Sequence, residues 1–218
     1  MMPSRYGYPY ILSSLIVMLS GGICCLIGLL QPLTGSIAVI GMIGSLFFSA
    51  FFRDPERKAP ANQATILSPA DGKVVAIDTI ESRDYLRSKS IRISIFLSLL
   101  DVHVNRIPSD GKIEYIKYVP GRFNPAHSTP GSDLNEHMVV GIKTKHHKMM
   151  IVQIAGILTR RIICRLREGM KVTRGSRYGM IVFGSRTDLY VPLGTEICVK
   201  PGDSVKGGLS IIGVLKNG

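Results

Sequence analysis

The sequence predicts an all-β, or β-rich α+β, compact barrel- or sandwich-like domain preceded by an N-terminal pair of apolar helices. Three observations carry this. Beyond residue 63, Val, Ile and Gly dominate and helix-period patterns are scarce. Turn signals there separate short apolar runs at short intervals, the spacing of a barrel or sandwich. Finally, the mean hydropathy of +0.23 is high, and its excess sits at one end.

That end holds two uncharged runs, residues 10–30 and 33–52, broken at Gln31-Pro32. Each matches the about 20 residues a bilayer-spanning helix needs. No small-residue cleavage site follows the first run, so a secretory signal fits poorly. The short connection makes a hairpin, either transmembrane or, given Gly21-Gly22, Pro32 and Gly35, re-entrant. Arg5 precedes it, and Arg53, Arg57 and Lys58 follow, so both flanks belong on the cytoplasmic side of a cell membrane. The division expected is a hairpin and linker over 1–58 and a second domain over 59–218. With 27 Lys+Arg against 15 Asp+Glu, the net charge of +12 points to anionic partners, nucleic acid or acidic lipid. The strands lack the aromatic-basic pattern of RNA-reading domains, which disfavours nucleic acid. Cys24, Cys25, Cys164 and Cys198 form neither a disulfide framework nor a metal motif, as in a reducing compartment.

Within the second domain, residues 91–104 give the clearest strand, with Ile91, Ile93, Ile95, Leu97 and Leu99 alternating with more polar positions. Further strands are expected at 73–78, 111–118, 138–144, 148–155, 180–183, 188–191 and 196–199, while 160–167 reads as strand or short helix. Pro69-Ala70-Asp71-Gly72-Lys73-Val74 recurs as Pro108-Ser109-Asp110-Gly111-Lys112-Ile113, two Asp-Gly turns leading into strands. Gly202-Asp203-Ser204-Val205-Lys206-Gly207-Gly208 has the tight-turn pattern of biotinyl/lipoyl-type β-domains.

Several residues carry chemistry. Gly184-Ser185 lies between two β-rich runs, where it reads as the two-residue turn of a hairpin. A serine hydroxyl behind a glycine can also attack the preceding carbonyl, and the ester formed can eliminate and cut the chain. Asp71 is a turn residue locally. Continuing the alternation of residues 93–99 places Asp101, His103 and Asn105 on one face, a core strand opening into a pocket or ending in a hydrogen-bonded core histidine. His127 and His137 fall in a Pro/Gly-rich loop over 121–136 of a length that is often functional. His146 and His147 lie among lysines in a solvated loop. The strand segment offers one histidine, so paired zinc ligands are absent from it and no metal is expected.

In order along the chain, Arg53-Asp54-Pro55-Glu56-Arg57, Ser68-Pro69-Ala70-Asp71-Gly72-Lys73-Val74, residues 96–108, Asn135-Glu136, Gln153-Ile154-Ala155-Gly156 and residues 179–192 resemble the phosphatidylserine decarboxylases of the short bacterial, pyruvoyl-dependent type. The resemblance implies a proenzyme that cuts itself between Gly184 and Ser185, giving a β chain of residues 1–184 and an α chain of 34 residues (218 − 184). Ser185 would become the covalent pyruvoyl cofactor, which forms a Schiff base with the substrate amine. Asp71, His103 and Ser185 would form the self-cleavage triad, and Asn135, Glu136 and His137 a substrate loop. Longer relatives carry a second histidine where this chain has Arg106, so His103 inherits one family role or both. The partners implied are phosphatidylserine, anionic membrane lipid and the chain's own processed fragments, with homo-oligomers compatible. Decarboxylases of archaetidylserine or another aminoacyl-phospholipid share the chemistry. A non-catalytic, membrane-anchored lipoyl-like binding module is the alternative of a different class.

Overall fold

The computed structural model describes residues 3–81, 84–125, 134–157, 159, 161–183 and 185–215. The chain divides into two compact units, one ending at Glu56 and one starting at Arg57.

The first unit is a helical hairpin of α1 (Tyr8–Leu26) and α2 (Gln31–Phe51). A proline in the first turn opens each helix, where a missing N–H leaves no bond unmade. Leu30, with φ of 45°, reverses the chain between them. The helices approach closely at glycines. A Cβ on Gly21 would lie 2.7 Å from Ala38 N, and one on Gly41 would lie 2.4 Å from Met18 N. Ser45 Oγ donates to Ser14 Oγ across the interface at 3.0 Å. Small residues and a polar link are what helices use to pair where lipid removes the hydrophobic drive. Leu12, Ile16, Leu19, Ile23 and Leu26 face outward, and both helices are long and apolar enough to cross a membrane.

The second unit contains fourteen described strands. They are β1 (Thr65–Leu67), β2 (Gly72–Glu81), β3 (Lys89–Leu97), β4 (Val104–Arg106), β5 (Gly111–Val119), β6 (His137–Lys143), β7 (Lys148–Ala155), β8 (Arg161–Cys164), β9 (Lys171–Val172), β10 (Arg177–Val182), β11 (Ser185–Pro192), β12 (Thr195–Ile197), β13 (Ser204–Val205) and β14 (Ile211–Leu215). Eight form one antiparallel sheet in the order β13-β2-β3-β11-β7-β6-β5-β9, and two three-stranded sheets, β1-β14-β12 and β4-β10-β8, accompany it. One face of the large sheet buries Ile93, Ile95, Leu97, Ile142, Ile151 and Leu189. The other buries Val139, Met150, Val152, Ile154 and Tyr190 under Tyr85 and Leu86. The β-rich class and its preceding helices are as the sequence predicts.

The Asp-Gly echo marks an internal pseudo-two-fold. Leu67 N donates to Pro108 O at 2.9 Å, and Arg106 N donates to Pro69 O at 2.8 Å. Val74 N bonds Asp203 O and Gly202 N bonds Val74 O, as Ile113 N bonds Met170 O and Gly169 N bonds Ile113 O. One half comprises β1–β3 with β11–β14, and the other β4–β10. The halves meet where β11 pairs with β7, register Ser185↔Ala155 through Tyr190↔Met150.

Two sequence expectations change. The strand read over 91–104 stops at Leu97. Asp101 accepts from Ser98 N at 2.8 Å and Ser98 Oγ at 2.7 Å, closing a turn that outcompetes the extended ladder. His103 therefore precedes a separate strand, β4, in another sheet. The segments flanking Gly184-Ser185 do not form a hairpin either. β10 pairs with β4 and β8, while β11 pairs with β3 and β7, so the chain changes sheets between them. The Gly184–Ser185 bond thus joins the two pseudo-symmetric halves.

Candidate active site

Ser185 opens β11, between Leu97 of β3 and Ala155 of β7, and is fully buried. Its Oγ makes no hydrogen bond to any described residue. Gly184 lies outside the described residues. Phe183, just before it, has φ of 66°, in a region that costs a side-chain-bearing residue roughly 1–2 kcal/mol. Its carbonyl accepts from Thr159 Oγ1 at 3.0 Å, and that same oxygen accepts from Gly156 N at 2.6 Å. The loop after β7 therefore clamps the backbone that leads to the Gly-Ser bond.

Asn105 gathers the rest. Its Nδ2 lies 3.2 Å from Thr187 Oγ1 and 3.5 Å from Pro69 O, and its Oδ1 accepts from Gln153 Nε2 at 2.7 Å. Asn105, Gln153 and Thr187 are all fully buried. Ser185 is two residues before Thr187, His103 two before Asn105, and Asp71 two after Pro69. Period-2 alternation puts Ser185 on the Thr187 face of β11. One amide thus ties together the three segments that the sequence singled out. Gln153 and Thr187 are not singled out as site residues by the sequence reading, although a polar residue on the core face of an apolar strand, as Gln153 is in β7, is the signal of a buried polar network.

The three residues are gathered but not chained. The Asp71 carboxylate takes both Arg57 nitrogens, at 2.5 and 2.8 Å, and the Gly207 N–H at 2.8 Å. Arg57 also donates to Gly207 O at 2.6 Å. Asp71 is therefore not the group that orients the imidazole. His103, buried, sets its Nδ1 2.9 Å from the Asp101 carbonyl. A carbonyl only accepts, so Nδ1 carries the proton and Nε2 the lone pair, the tautomer a general base requires.

The residues expected to form a substrate loop have different surroundings. Asn135 is buried; its Nδ2 donates to Asn124 O and Ala155 O, both at 2.8 Å, and its Oδ1 accepts from Asn124 N at 2.9 Å. Its amide staples the loop to the end of β7. Glu136 hydrogen-bonds through its backbone to Arg122 O and Ala155 N. His137, half-buried at the start of β6, repeats the His103 device, with Nδ1 2.7 Å from the carbonyl of Asn135. His127 lies outside the described residues, and His146 and His147 sit in the β6–β7 turn. Arg106 is buried in the fold and donates to Gly175 O at 2.9 Å.

Immediately after Ser185, Arg186 and Asp188 form a buried ion pair on the opposite face of β11, with Nε and Nη2 each 2.9 Å from a carboxylate oxygen. Burial pushes the Asp188 carboxyl above its ordinary value, and Arg186 and Arg92 pull it back. The pair fixes the residue that follows Ser185.

The phosphatidylserine decarboxylase family model matches residues 45–213. A phosphatidylserine decarboxylase proenzyme of Chlorobium phaeobacteroides is 41% identical over 216 residues, 97% of this chain and 99% of the relative. The proenzyme of Syntrophus aciditrophicus is 40% identical over 211 residues, 96% of each chain. That of Desulfotalea psychrophila is 40% identical over 178 residues, 81% of this chain and 83% of the relative.

Proposed function

We propose, starting from the fact that this chain belongs to the phosphatidylserine decarboxylase family, that it matures by cutting its own Gly184–Ser185 bond and then decarboxylates phosphatidylserine to phosphatidylethanolamine. The observation that carries the reading is Ser185: a buried hydroxyl, uncommitted among the described residues, at the join between halves and behind the left-handed backbone of Phe183.

His103 Nε2 takes the Ser185 proton, and the oxygen attacks the Gly184 carbonyl carbon. The acyl group moves from nitrogen to oxygen, leaving an ester on Oγ and a free amine on residue 185. Loss of the Cα proton expels the Gly184 carboxylate. Water then replaces the amine nitrogen, which leaves as ammonia, and residue 185 ends as a ketone amide-linked to Arg186. The site fits this group. Its position is buried, flanked on both sides by strands of the larger fragment, and backed by the Arg186–Asp188 pair. The ketone supplies an electron sink for a substrate amine, the part pyridoxal phosphate plays elsewhere. His103, released from its first task, holds a proton for the carbon that loses CO₂. Asp71, anchored by Arg57, fixes the turn whose Pro69 carbonyl holds β4, and so positions His103. The apolar hairpin keeps the reaction at a cytoplasmic membrane surface.

Intact-mass analysis of the purified full chain tests this. Two fragments meeting after residue 184, carbonyl labelling of the smaller one, and CO₂ release from phosphatidylserine are expected. A single uncut chain with no ketone and no CO₂ release overturns the reading. Retention on membranes through an alkaline or high-salt wash is expected of the hairpin, because salt does not screen apolar burial; release by salt alone would assign the attachment to charge.

A further inference from the structure

The end of the large sheet at which Ser185 sits is ringed by apolar side chains that the fold leaves in solvent. Leu100 is 80% exposed, Leu134 61% and Ile157 60%, the three most exposed large apolar residues described in the second unit. They come from three separate segments. Leu100 lies in the turn after β3, whose last residue, Leu97, pairs with Ser185. Ile157 follows β7, whose Ala155 is the other partner of Ser185. Leu134 precedes Asn135, whose amide is bonded to Ala155 O. Leu99 and Phe123 are exposed beside them. A single exposed leucine needs no explanation, but exposed apolar residues from three segments gathered at one end of a sheet mark an interaction surface.

Resting on the function proposed above, we infer that this rim is a lipid-contacting surface. Its apolar side chains enter the interface of an anionic bilayer, so that a phospholipid reaches Ser185 without leaving the membrane. Charge supports lipid as the occupant. Arg122, bridged to Asn135, and Arg161, paired with Val182 one residue before Phe183, are exposed at the same end, in a chain of net charge +12. Cations near an acidic lipid surface are drawn to it by its negative potential. Apolar side chains interspersed with arginines match a headgroup boundary, which takes both, better than the dry centre of a protein interface, from which charge is depleted.

The chain contains no tryptophan, so Leu100→Trp in the full-length protein gives a single emitter. With anionic vesicles brominated near the headgroups, its emission is expected to shift to the blue and to be quenched severalfold more than that of Leu193→Trp, which follows the opposite end of β11. Equal quenching at both positions overturns the rim. A Leu134→Ser/Ile157→Ser variant is expected to cut itself normally and to release CO₂ from monomeric short-chain phosphatidylserine at the wild-type rate. Its rate on vesicle-embedded substrate is expected to fall at least tenfold. Equal rates on vesicles, or equal losses on both substrates, overturn the inference. If the wild-type chain releases CO₂ from neither substrate, the decarboxylase reading fails, and the quenching comparison still decides the rim.

Discussion

The turns at Asp71 and Asp110 share a backbone design and differ in what surrounds them. Each carboxylate accepts one N–H from the equivalent turn of its own half, Gly207 for Asp71 and Arg174 for Asp110, at 2.8 and 2.9 Å. Each following glycine opens a strand pressed against a neighbouring carbonyl. Yet Asp71 is buried on Arg57 beside the Ser185 network, while Asp110 is exposed. The joins differ likewise. β6 runs into β7 through a tight, solvated turn, whereas β10 reaches β11 through Phe183 in a left-handed conformation and a change of sheet. The two halves share one turn-and-strand scaffold. A buried cation, a hydroxyl uncommitted among the described residues and a left-handed connection distinguish the first half and its join from the second.

The most severe break is Ser185→Ala, expected to abolish both cleavage and decarboxylation, because no oxygen remains to begin the acyl shift. Lys148→Ser, which places serine at the head of the equivalent strand, should produce no cut; intact mass reads both. An alanine variant that still yields two chains would remove the distinction between the joins. His103→Ala comes next. As the base of self-cleavage its loss should slow processing by about 10²–10⁴-fold and leave an uncut chain. Normal cleavage with a labelled ketone but no CO₂ release would assign His103 to decarboxylation alone, and normal cleavage with normal turnover would make it a core histidine.

Asp71→Ala leaves the Arg57 guanidinium, only 8% exposed, without its carboxylate. Removing one partner of a buried pair costs about 3–5 kcal/mol, and processing should fall with it. Asp110→Ala loses a single part-buried hydrogen bond, about 1 kcal/mol, with processing unchanged. Urea denaturation of unprocessed and processed forms, read beside intact mass, checks the contrast; equal effects at the two aspartates would erase it. The smallest difference is between glycines. A Cβ on Gly72 would lie 2.1 Å from Phe96 O at φ of 144°, and one on Gly111 would lie 2.5 Å from Lys143 O without a left-handed φ. Both alanine variants should be destabilised, Gly72→Ala by roughly 1–2 kcal/mol more for its backbone alone, as thermal denaturation would show.

The residue pattern discloses much of this fold because the strands are locally consistent: its turn signals bound 148–155 at both ends, and 111–118 and 138–144 to within one residue. The Asp-Gly echo discloses the pseudo-two-fold pairing of the halves. What stayed hidden depends on partners far along the chain. Met180 and Thr187 stand on either side of a Gly-Ser that suits a hairpin, and only pairing with β4, β8, β3 and β7 sends them to different sheets. The alternation of residues 91–99 runs on toward His103 on paper, but the Asp101 side chain caps it in space. Asp71 and His103 were legible as chemistry-bearing positions. Their hydrogen-bond partners were not, because Arg57 is fourteen residues from Asp71 and the Asp101 carbonyl carries no side-chain identity to read.

β11 stands in the middle of the large sheet, hydrogen-bonded to β3 on one side and β7 on the other. A cut at its head removes the only covalent tie between the 34-residue fragment and the rest, and turns an internal strand into a bound peptide. Before the cut, the folding chain closes this pairing as a loop at a cost that grows only slowly with length. Afterwards the same pairing is an association of two molecules, whose extent depends on concentration. The proposed maturation would therefore set a direction in time. An uncut chain is expected to refold from denaturant independently of dilution, and a cut one to regain its central strand only as fast as its two pieces find each other.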